Sequence, residues 1–333
     1  MKNNFLKITL AFATASAFCL FGVEKVDNTV PGVETLLFDW HDATRTRDVP
    51  VKIYLPSDLK TPLPVIVLSH GLGGSREGYQ YLGKYWAEHG YISVHVEHEG
   101  SNTKILANEL APMKAMKEAA ANPANSINRP LDIKFAIDQL EKLNKQEGPL
   151  QKRLELSKIG LAGHSFGAYT ALAVAGQVFI GPLGKELSFA DPRIKAALIM
   201  SAPVNERQKQ LGDRCYDKIT IPCLHMTGTK DMCKINNTSV EERRFPYDHS
   251  QNSEQYLLVF EEGDHMVFSG PRFGREGKDD SFMQKIICEA STTFWDAYLK
   301  GAPGAKEHLI GKEFRTELGK HGEFEYKLKK ELK

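Results

Sequence analysis

The chain has 333 residues, of which 41% are hydrophobic and 26% are charged. This composition is typical of a folded globular protein and excludes a chain that is disordered throughout. The formal net charge is only +1, so charge gives no reason to expect nucleic acid or an anionic membrane as the main partner.

The first 22 residues have the features of an export signal. Lys2 and Lys7 precede or open an apolar stretch that runs from Ile8 to Phe21, and Ala15-Ser16-Ala17 forms a small-residue cleavage pattern. We therefore predict an exported protein, periplasmic or secreted after signal cleavage. No later segment is long and apolar enough to span a bilayer, so no membrane span is predicted in the mature chain.

Four cysteines follow the predicted signal, at Cys215, Cys223, Cys233 and Cys288. An even number in an oxidising compartment permits disulfides, and four cysteines allow three full pairings. Burial as small hydrophobic side chains is the alternative. The cysteines and histidines do not have zinc-site spacing, and no metal is predicted.

The apolar patterns predict strands and helices that alternate along the chain. Pro64–Ser69 is a continuous apolar run, which is typical of a strand covered on both faces in a parallel sheet. The other predicted strands are Glu34–His41, Val49–Leu55, Tyr91–Glu97, Lys158–Ala162, Ile194–Ser201, Ile221–Thr227 and Tyr256–Phe260; the helices are Arg76–His89, Leu131–Lys145, one after Ser165, and Phe282–Leu299. This order predicts an α/β fold with a mostly parallel, doubly wound sheet and helices on both faces.

We predict one catalytic domain over residues 23–303. Two polar stretches within it, 100–129 and 232–254, follow strands and therefore lie at the carboxyl edge of the sheet, where α/β proteins bind ligands. They are predicted to be lid or substrate loops, with solvated connections as the alternative. Residues 304–333 are predicted to be a charged C-terminal extension.

The strongest chemical signal is Gly163-His164-Ser165-Phe166-Gly167, which lies directly between a predicted strand and a predicted helix. A nucleophile elbow needs this context, because the serine occupies a strained turn and the glycines let strand and helix approach closely. We therefore predict that Ser165 is a nucleophile. A plain strand-to-helix turn with Ser165 as the helix cap is the alternative.

A serine nucleophile needs a base, and the base needs an acid to orient it. His265 follows the last predicted strand, where a base is expected, and Asp231 ends the glycine-containing turn after the preceding strand. Glu206 is a rival acid because it follows an earlier strand. Asp264 is a weaker rival, since a residue adjacent to His265 in sequence is poorly placed to face its ring.

The loop Ser69-His70-Gly71-Leu72-Gly73-Gly74 follows the third predicted strand. Backbone N–H groups of Leu72 and Phe166 are the predicted oxyanion donors. No Gly-Lys-Ser/Thr follows the loop, which argues against a nucleotide site.

Four further residues are predicted to contact substrate: His70, Gly71, Gly73 and His164. The run His95-Val96-Glu97-His98-Glu99 is interpreted as a polar cluster at the rim of the cleft rather than a metal site.

These motifs resemble those of the α/β-hydrolase superfamily, and within it the bacterial group described as predicted dienelactone hydrolases or platelet-activating-factor acetylhydrolase-like proteins. The resemblance spans about residues 34–300 and rests on four segments: 67–75, 163–167, 227–231 and 263–270. It implies hydrolysis of a small-molecule or polymeric carboxylic ester through an acyl-enzyme, without a cofactor. An acyltransferase or peptidase with the same triad, or an inactive binding protein of this fold, are the alternatives.

Two departures from the family pattern matter. Dienelactone hydrolases use a cysteine nucleophile where this chain has Ser165, so their substrate is not expected here. Mammalian acetylhydrolases of this type place their acid after an earlier strand, which retains Glu206 as a rival to Asp231.

Overall fold

A computed structural model describes residues 23–26, 32–107, 110–233, 235, 237–270, 277 and 279–329. The predicted signal, residues 1–22, lies outside these residues. Within them, ten strands form the main sheet: β1 (Val23–Val26), β2 (Val33–Asp42), β3 (Arg47–Pro56), β4 (Leu63–Ser69), β5 (Ile92–Val96), β6 (Leu154–His164), β9 (Ile194–Met200), β10 (Cys223–Lys230), β11 (Gln255–Asp264) and β12 (Gly322–Lys327). Their order across the sheet is β1-β2-β3-β5-β4-β6-β9-β10-β11-β12. Two further strands, β7 (Val178–Ile180) and β8 (Glu186–Ser188), form a separate hairpin.

The prediction of a mostly parallel, doubly wound sheet is confirmed. The central strands β5, β4, β6, β9, β10 and β11 are all parallel to one another, and β1, β2 and β3 form an antiparallel edge. The helices are α1 (Gln80–Glu88), α2 (Pro112–Ala121), α3 (Pro123–Lys145), α4 (Phe166–Ala175), α5 (Glu206–Leu211), α6 (Phe245–His249), α7 (Asp280–Trp295), α8 (Ala305–Ile310) and α9 (Lys312–Leu318).

The sheet separates two hydrophobic cores, and β4 supplies both of them. Val65 and Val67 belong to the core that contains the buried residues of α3 and α4, whereas Ile66 and Leu68 belong to the core that contains those of α1 and α7. Because alternate side chains of a strand point to opposite faces, helices therefore cover both sides of the sheet. This explains why the sequence of β4 is apolar without interruption.

The chain after residue 303 differs from the predicted extension. β12 pairs with β11 in antiparallel register, from Gln255 opposite Lys327 to Phe260 opposite Gly322. Phe314 of α9 and Phe324 of β12 are buried in the same core as α7. Phe324 and Tyr326 alternate with charged residues, which is the pattern of a half-buried edge strand. The many charged residues of the segment make this pattern hard to recognise in the sequence.

The segment 100–129 is more helical than the sequence indicates. It contains α2, none of whose residues is fully buried, and the first turns of α3. α3 begins at Pro123, where proline is favoured in the first helical turn, and the Asn122 side chain accepts the N–H of Ala124 at 3.0 Å. Pro130 lies inside α3, which is why the sequence pattern predicts a later start at Leu131.

The four predicted disulfide candidates are free thiols. Cys215, Cys223 and Cys288 are buried and Cys233 is partly exposed. No helix in the described ranges is both long enough and apolar enough to cross a membrane.

Five histidines are buried in the neutral state, so we expect the free energy of unfolding to decrease in acid. They are His70, His95, His98, His164 and His225. Desolvation by burial lowers the pKa of His95 and of His164 to about 3 and that of His225 to about 4. The pKa values of His70 and His98 are also lowered well below 6.5, for the same reason.

The unfolded chain binds protons on these histidines below about pH 6.5, whereas the folded chain does not. The contribution of these neutral rings to the free energy of unfolding is therefore complete above about pH 6.5. It decreases as the pH falls, by up to about 1.4 kcal/mol per pH unit for each histidine. Urea unfolding between pH 7.5 and pH 4.5 should show this steep fall. His225→Gln should remove close to one histidine's share of the slope, and an unchanged slope would contradict the prediction.

Candidate active site

The segment that carries Ser165 is a sharp turn between β6 and α4. Ser165 has φ 55° and ψ −117°, a backbone conformation that residues other than glycine rarely adopt. A Cβ atom on Gly163 would lie 2.0 Å from the carbonyl oxygen of Gly167, and one on Gly167 would lie 1.9 Å from that of Ser69. Both positions therefore require glycine, as the predicted elbow does.

The side chains of Ser165, His265 and Asp231 form a continuous hydrogen-bonded chain. Ser165 Oγ lies 3.0 Å from His265 Nε2, and His265 Nδ1 lies 2.7 Å from Asp231 Oδ1. The Asp231 side chain is fully buried, whereas 17% of the His265 side chain is exposed. Three loops that are distant in sequence, after β6, β10 and β11, thus bring a hydroxyl, an imidazole and a carboxylate into contact at the carboxyl edge of the sheet.

Three further side chains surround the Asp231 carboxylate. Ser201 Oγ donates to Asp231 Oδ1 at 2.8 Å and lies 2.7 Å from His265 Nδ1. Thr227 donates to Oδ2 at 2.8 Å, and Arg243 Nε lies 3.2 Å from Oδ1. Arg243 also donates to the carbonyl of Ser201 at 3.1 Å. The carboxylate is therefore held in one orientation by groups at the end of β9, on β10 and in the segment before α6.

The partners of Asp231 explain its ionisation. Burial by itself raises the pKa of this carboxyl, but the hydrogen bond from His265, the charge of Arg243 and the hydrogen bond from Ser201 outweigh burial and lower the pKa to about 2. Asp231 is consequently a carboxylate at neutral pH, which is the state that can stabilise a positively charged imidazole.

The two rival acids have other partners. Glu206 is exposed and accepts a hydrogen bond from Lys209 at 2.7 Å. Asp264 Oδ1 accepts the backbone N–H groups of Met266 at 2.8 Å and of Val267 at 3.1 Å. Neither carboxylate is the one that contacts the His265 ring.

A second serine–histidine–aspartate chain lies beneath the site. Ser69 Oγ is 2.9 Å from His98 Nε2, and His98 Nδ1 is 2.9 Å from Asp132 Oδ2. Asp132 also accepts from Arg45 at 2.7 Å and from Arg47 at 2.9 Å. Ser69 and the side chains of His98 and Asp132 are fully buried, so a substrate does not reach this hydroxyl. This hydrogen-bonded series of Ser69, His98 and Asp132 therefore has a structural role.

The other histidine of the 95–99 run also has protein partners. His95 Nδ1 lies 3.0 Å from the carbonyl of Gly78, and its Nε2 lies 3.1 Å from Ser93 Oγ. Among the residues that the structure describes, there is no group of three or more His, Cys, Asp or Glu side chains that could hold a metal ion.

The two predicted oxyanion donors lie beside Ser165. Leu72 and Phe166 line the same cavity as Ser165. Phe166 is the first residue of α4, so its N–H is one of those that a helix leaves without an internal partner, at the positive end of the helix dipole. The loop that carries Leu72 is tied down by the N–H of Gly73, which donates to the carbonyl of Ser101 at 2.9 Å.

A series of hydrogen bonds connects the loop after β4 and the loop after β11 through Tyr79 and the end of β6. The N–H of Gly71 donates to the Tyr79 hydroxyl at 3.1 Å, and this hydroxyl donates to His164 Nδ1 at 2.8 Å. His164 Nε2 in turn donates to the backbone carbonyl of His265 at 2.9 Å. Burial keeps the His164 ring neutral, with its pKa at about 3, so this series of hydrogen bonds holds the loops in place without carrying charge.

The four residues predicted to contact substrate lie in or beside these loops. His70, Gly71 and His164 are buried, and neither they nor Gly73 belong to the described wall of the cavity. His70 Nδ1 donates to the carbonyl of Gly71 at 2.6 Å, and His70 Nε2 accepts the N–H of His98 at 3.1 Å. The rings of His70 and His164 therefore support the loops, and contact of the four residues with a substrate stays a prediction.

A cavity of about 220 Å³ opens beside Ser165. Its wall is mainly apolar, with Leu72 and Phe166 near the serine and Ala120 of α2 on one side. Further described residues of the wall are Ser126, Tyr169, Pro203, Val204, Asn205, Gln208, Cys233 and Ile235. The two stretches predicted as substrate loops, 100–129 and 232–254, therefore both contribute to the cavity.

The sequence patterns do not identify Ser201 or Arg243 as parts of the site. Ser201 has a usable signal, because it directly follows a central parallel strand, as Asp231 does. Its φ of 57° turns the chain so that the hydroxyl faces the carboxylate. For Arg243, a polar segment contains the residue, but only the folded chain shows that its guanidinium is buried against Asp231.

Two protein-family models match the chain in adjacent segments. The model described as platelet-activating factor acetylhydrolase, isoform II, matches residues 21–112, which include the loop of Leu72. The model described as serine hydrolase (FSH1) matches residues 111–272, which include Ser165, Asp231 and His265. Both descriptions support hydrolase activity.

A curated relative agrees with these matches. The chain is 27% identical over 149 residues to a platelet-activating factor acetylhydrolase from Cavia porcellus. The aligned part is 37% of this chain and 34% of that protein, so the chain spans about a third of the length of the relative. The sheet order, the elbow at Ser165 and the two hydrolase family matches agree, and the chain belongs to the α/β-hydrolase superfamily.

Proposed function

We propose that the protein is a serine esterase that cleaves carboxylic esters through an acyl-enzyme. The observation that carries the proposal is the chain of 3.0 Å and 2.7 Å contacts that joins Ser165 Oγ, His265 and Asp231 beside an apolar cavity. These distances are within the range needed for proton transfer between nucleophile and base.

In the first half of the reaction, Ser165 Oγ attacks the ester carbonyl and His265 Nε2 takes its proton. The carbonyl electron pair moves onto the oxygen, where the N–H groups of Leu72 and Phe166 stabilise the negative charge. When the carbonyl re-forms, the alcohol leaves with the proton from His265, and the acyl group remains on Ser165. Asp231 holds the ring and stabilises its charged form.

In the second half, water replaces the alcohol. His265 takes a proton from the water as it attacks the acyl carbon, and returns a proton to Ser165 Oγ as the carboxylic acid leaves. The chemistry is complete with these residues and water, and it requires no cofactor.

The cavity supports a short or medium acyl group as the substrate class. A cavity of about 150 Å³ holds benzene, so a cavity of about 220 Å³ has room for a short or medium acyl group. The relative from Cavia porcellus is named for removal of an acetyl group, which agrees with a small acyl site. We propose p-nitrophenyl esters of this length as usable substrates.

A series of p-nitrophenyl esters from two to sixteen acyl carbons tests the proposal together with a fluorophosphonate probe. We expect kcat/KM to be greatest at roughly four to eight carbons and to fall for longer chains. One probe molecule should bind per chain, on the peptide that contains Ser165. A folded protein with neither turnover nor labelling would contradict the proposal and would favour an inactive binding protein.

We also propose that the protein is exported, because residues 1–22 combine an early positive charge with an apolar stretch and a small-residue cleavage pattern. The mass of the protein purified from the cell envelope or medium should correspond to a chain that begins between residues 18 and 23. A mature protein that retains Met1 would contradict export by this route.

A further inference from the structure

Arg129 of α3 lies behind the loop of the predicted oxyanion hole, and its side chain is fully buried. Its Nε donates to Thr170 Oγ1 at 3.0 Å, and its Nη1 donates to Ser101 Oγ at 2.8 Å. Its Nη2 donates to Ser69 Oγ at 3.1 Å and to the backbone carbonyl of His70. One guanidinium thus connects α3, α4, the loop after β5 and the loop after β4.

The charge of Arg129 has no carboxylate partner at ion-pair distance within the described ranges. The nearby Asp132 is instead bonded to Arg45, Arg47 and His98. A buried cation is costly unless it is paired. Burial, the largest influence, lowers the pKa of Arg129 to about 9, which still leaves the guanidinium charged at neutral pH.

Both predicted oxyanion donors lie on segments that Arg129 holds. The carbonyl of His70 is two residues before Leu72. On the other side, the guanidinium carbon lies 4.6 Å from the centre of the Phe166 ring, and Thr170 donates to the carbonyl of Phe166 at 3.0 Å. The guanidinium therefore contacts both of the segments that carry the predicted donors.

We propose that Arg129 is a positioning residue for the oxyanion hole. Its hydrogen bonds to His70 and Thr170 hold the N–H groups of Leu72 and Phe166 in a convergent orientation, and its unpaired charge favours an oxyanion between them. This inference rests on the proposed function of Ser165. A purely structural arginine would stabilise the fold but would not act selectively on the transition state.

Arg129→Met and Arg129→Lys test the proposal with short-chain p-nitrophenyl esters. We expect Arg129→Met to lower kcat by roughly 100-fold, a typical effect of damaging one oxyanion interaction, with little change in KM. Lysine retains the charge but cannot make the same set of bonds, so Arg129→Lys should recover part of kcat.

The second readout is the affinity for an alkyl trifluoromethyl ketone. Ser165 Oγ bonds to the ketone carbon, the carbonyl electron pair moves to the oxygen, and the serine proton moves to His265. The adduct carries the oxyanion that the proposal concerns. Its affinity should fall in each Arg129 variant by about the same factor as kcat/KM.

Arg193→Met is the matched control, because Arg193 contacts Asp138 and Glu141 near the other end of the same helix. It should lower the melting temperature without changing kcat or ketone affinity. Arg129 variants that lose stability but keep kcat and ketone affinity within two-fold of the original protein would overturn the inference about Arg129. The proposed function would be unaffected by that result. If Arg129→Met does not fold, the same comparison with Arg129→Lys decides. Absence of turnover and ketone binding in the unaltered protein would overturn the proposed function as well.

Discussion

Replacing Ser165 by alanine is expected to lower kcat for short-chain p-nitrophenyl esters by roughly 10⁶-fold. The hydroxyl is 3.0 Å from His265 Nε2, and without it the base has no nucleophile to activate. The residual rate is measured in endpoint assays at high enzyme concentration, together with active-site titration. Stability should be nearly unchanged, because Ser165→Ala removes one oxygen at the cavity surface.

A double variant and a labelling control sharpen this prediction. Groups that act as one unit have non-additive effects, so His265→Ala should lower kcat almost as much as Ser165→Ala, and the pair little further. Fluorophosphonate labelling should vanish in Ser165→Ala but persist in Ser69→Ala, because the Ser69 hydroxyl is buried in the second network. Labelling that survives Ser165→Ala would contradict the assignment of the nucleophile.

Asp231→Asn is expected to lower kcat by roughly 10⁴-fold, the effect known for the same change in a serine protease triad. An asparagine can present an N–H to His265 Nδ1, which favours the tautomer that cannot accept the serine proton at Nε2. It also removes the negative charge that stabilises the imidazolium. KM should change little, because Asp231 is buried and does not line the cavity.

Glu206→Gln is the matched control for Asp231→Asn, because it makes the same chemical change at the rival acid. Glu206 is exposed and bonded to Lys209, so kcat should stay within about two-fold, as expected for a solvent-exposed ion pair. Ser201→Ala should have an intermediate effect of roughly 10- to 100-fold, since a hydrogen bond to a charged group contributes roughly 1.5 to 3 kcal/mol. A larger loss in Glu206→Gln than in Asp231→Asn would reverse the assignment.

The parts of the fold that could be predicted are those that leave a local pattern. The uninterrupted apolar run of β4 indicates burial on two faces, and the two cores confirm it. The glycines around Ser165 indicate a close approach of backbones, and the lack of room for a Cβ atom at Gly163 and Gly167 explains why. Such signals depend on residues that are neighbours in sequence or in one strand.

The parts that could not be predicted depend on where long side chains reach. Arg129 and Arg243 belong to polar stretches that also fit solvated loops, and burial distinguishes them only after folding. His70 and His164 show that residues beside a nucleophile or a glycine loop can be buried and bonded to the protein. The pairing of β12 with β11 has no clear sequence signal, because the charged residues of β12 outnumber its apolar ones.

The backbone angles of Ser165 restrict which nucleophiles this fold can use. At φ 55° and ψ −117°, a side chain branched at Cβ would crowd its own main chain. Threonine is therefore a poor replacement although it keeps the hydroxyl, whereas cysteine fits the same backbone. At this turn, the thiol of a cysteine can therefore replace the hydroxyl of Ser165 as the nucleophile, whereas the secondary alcohol of a threonine cannot.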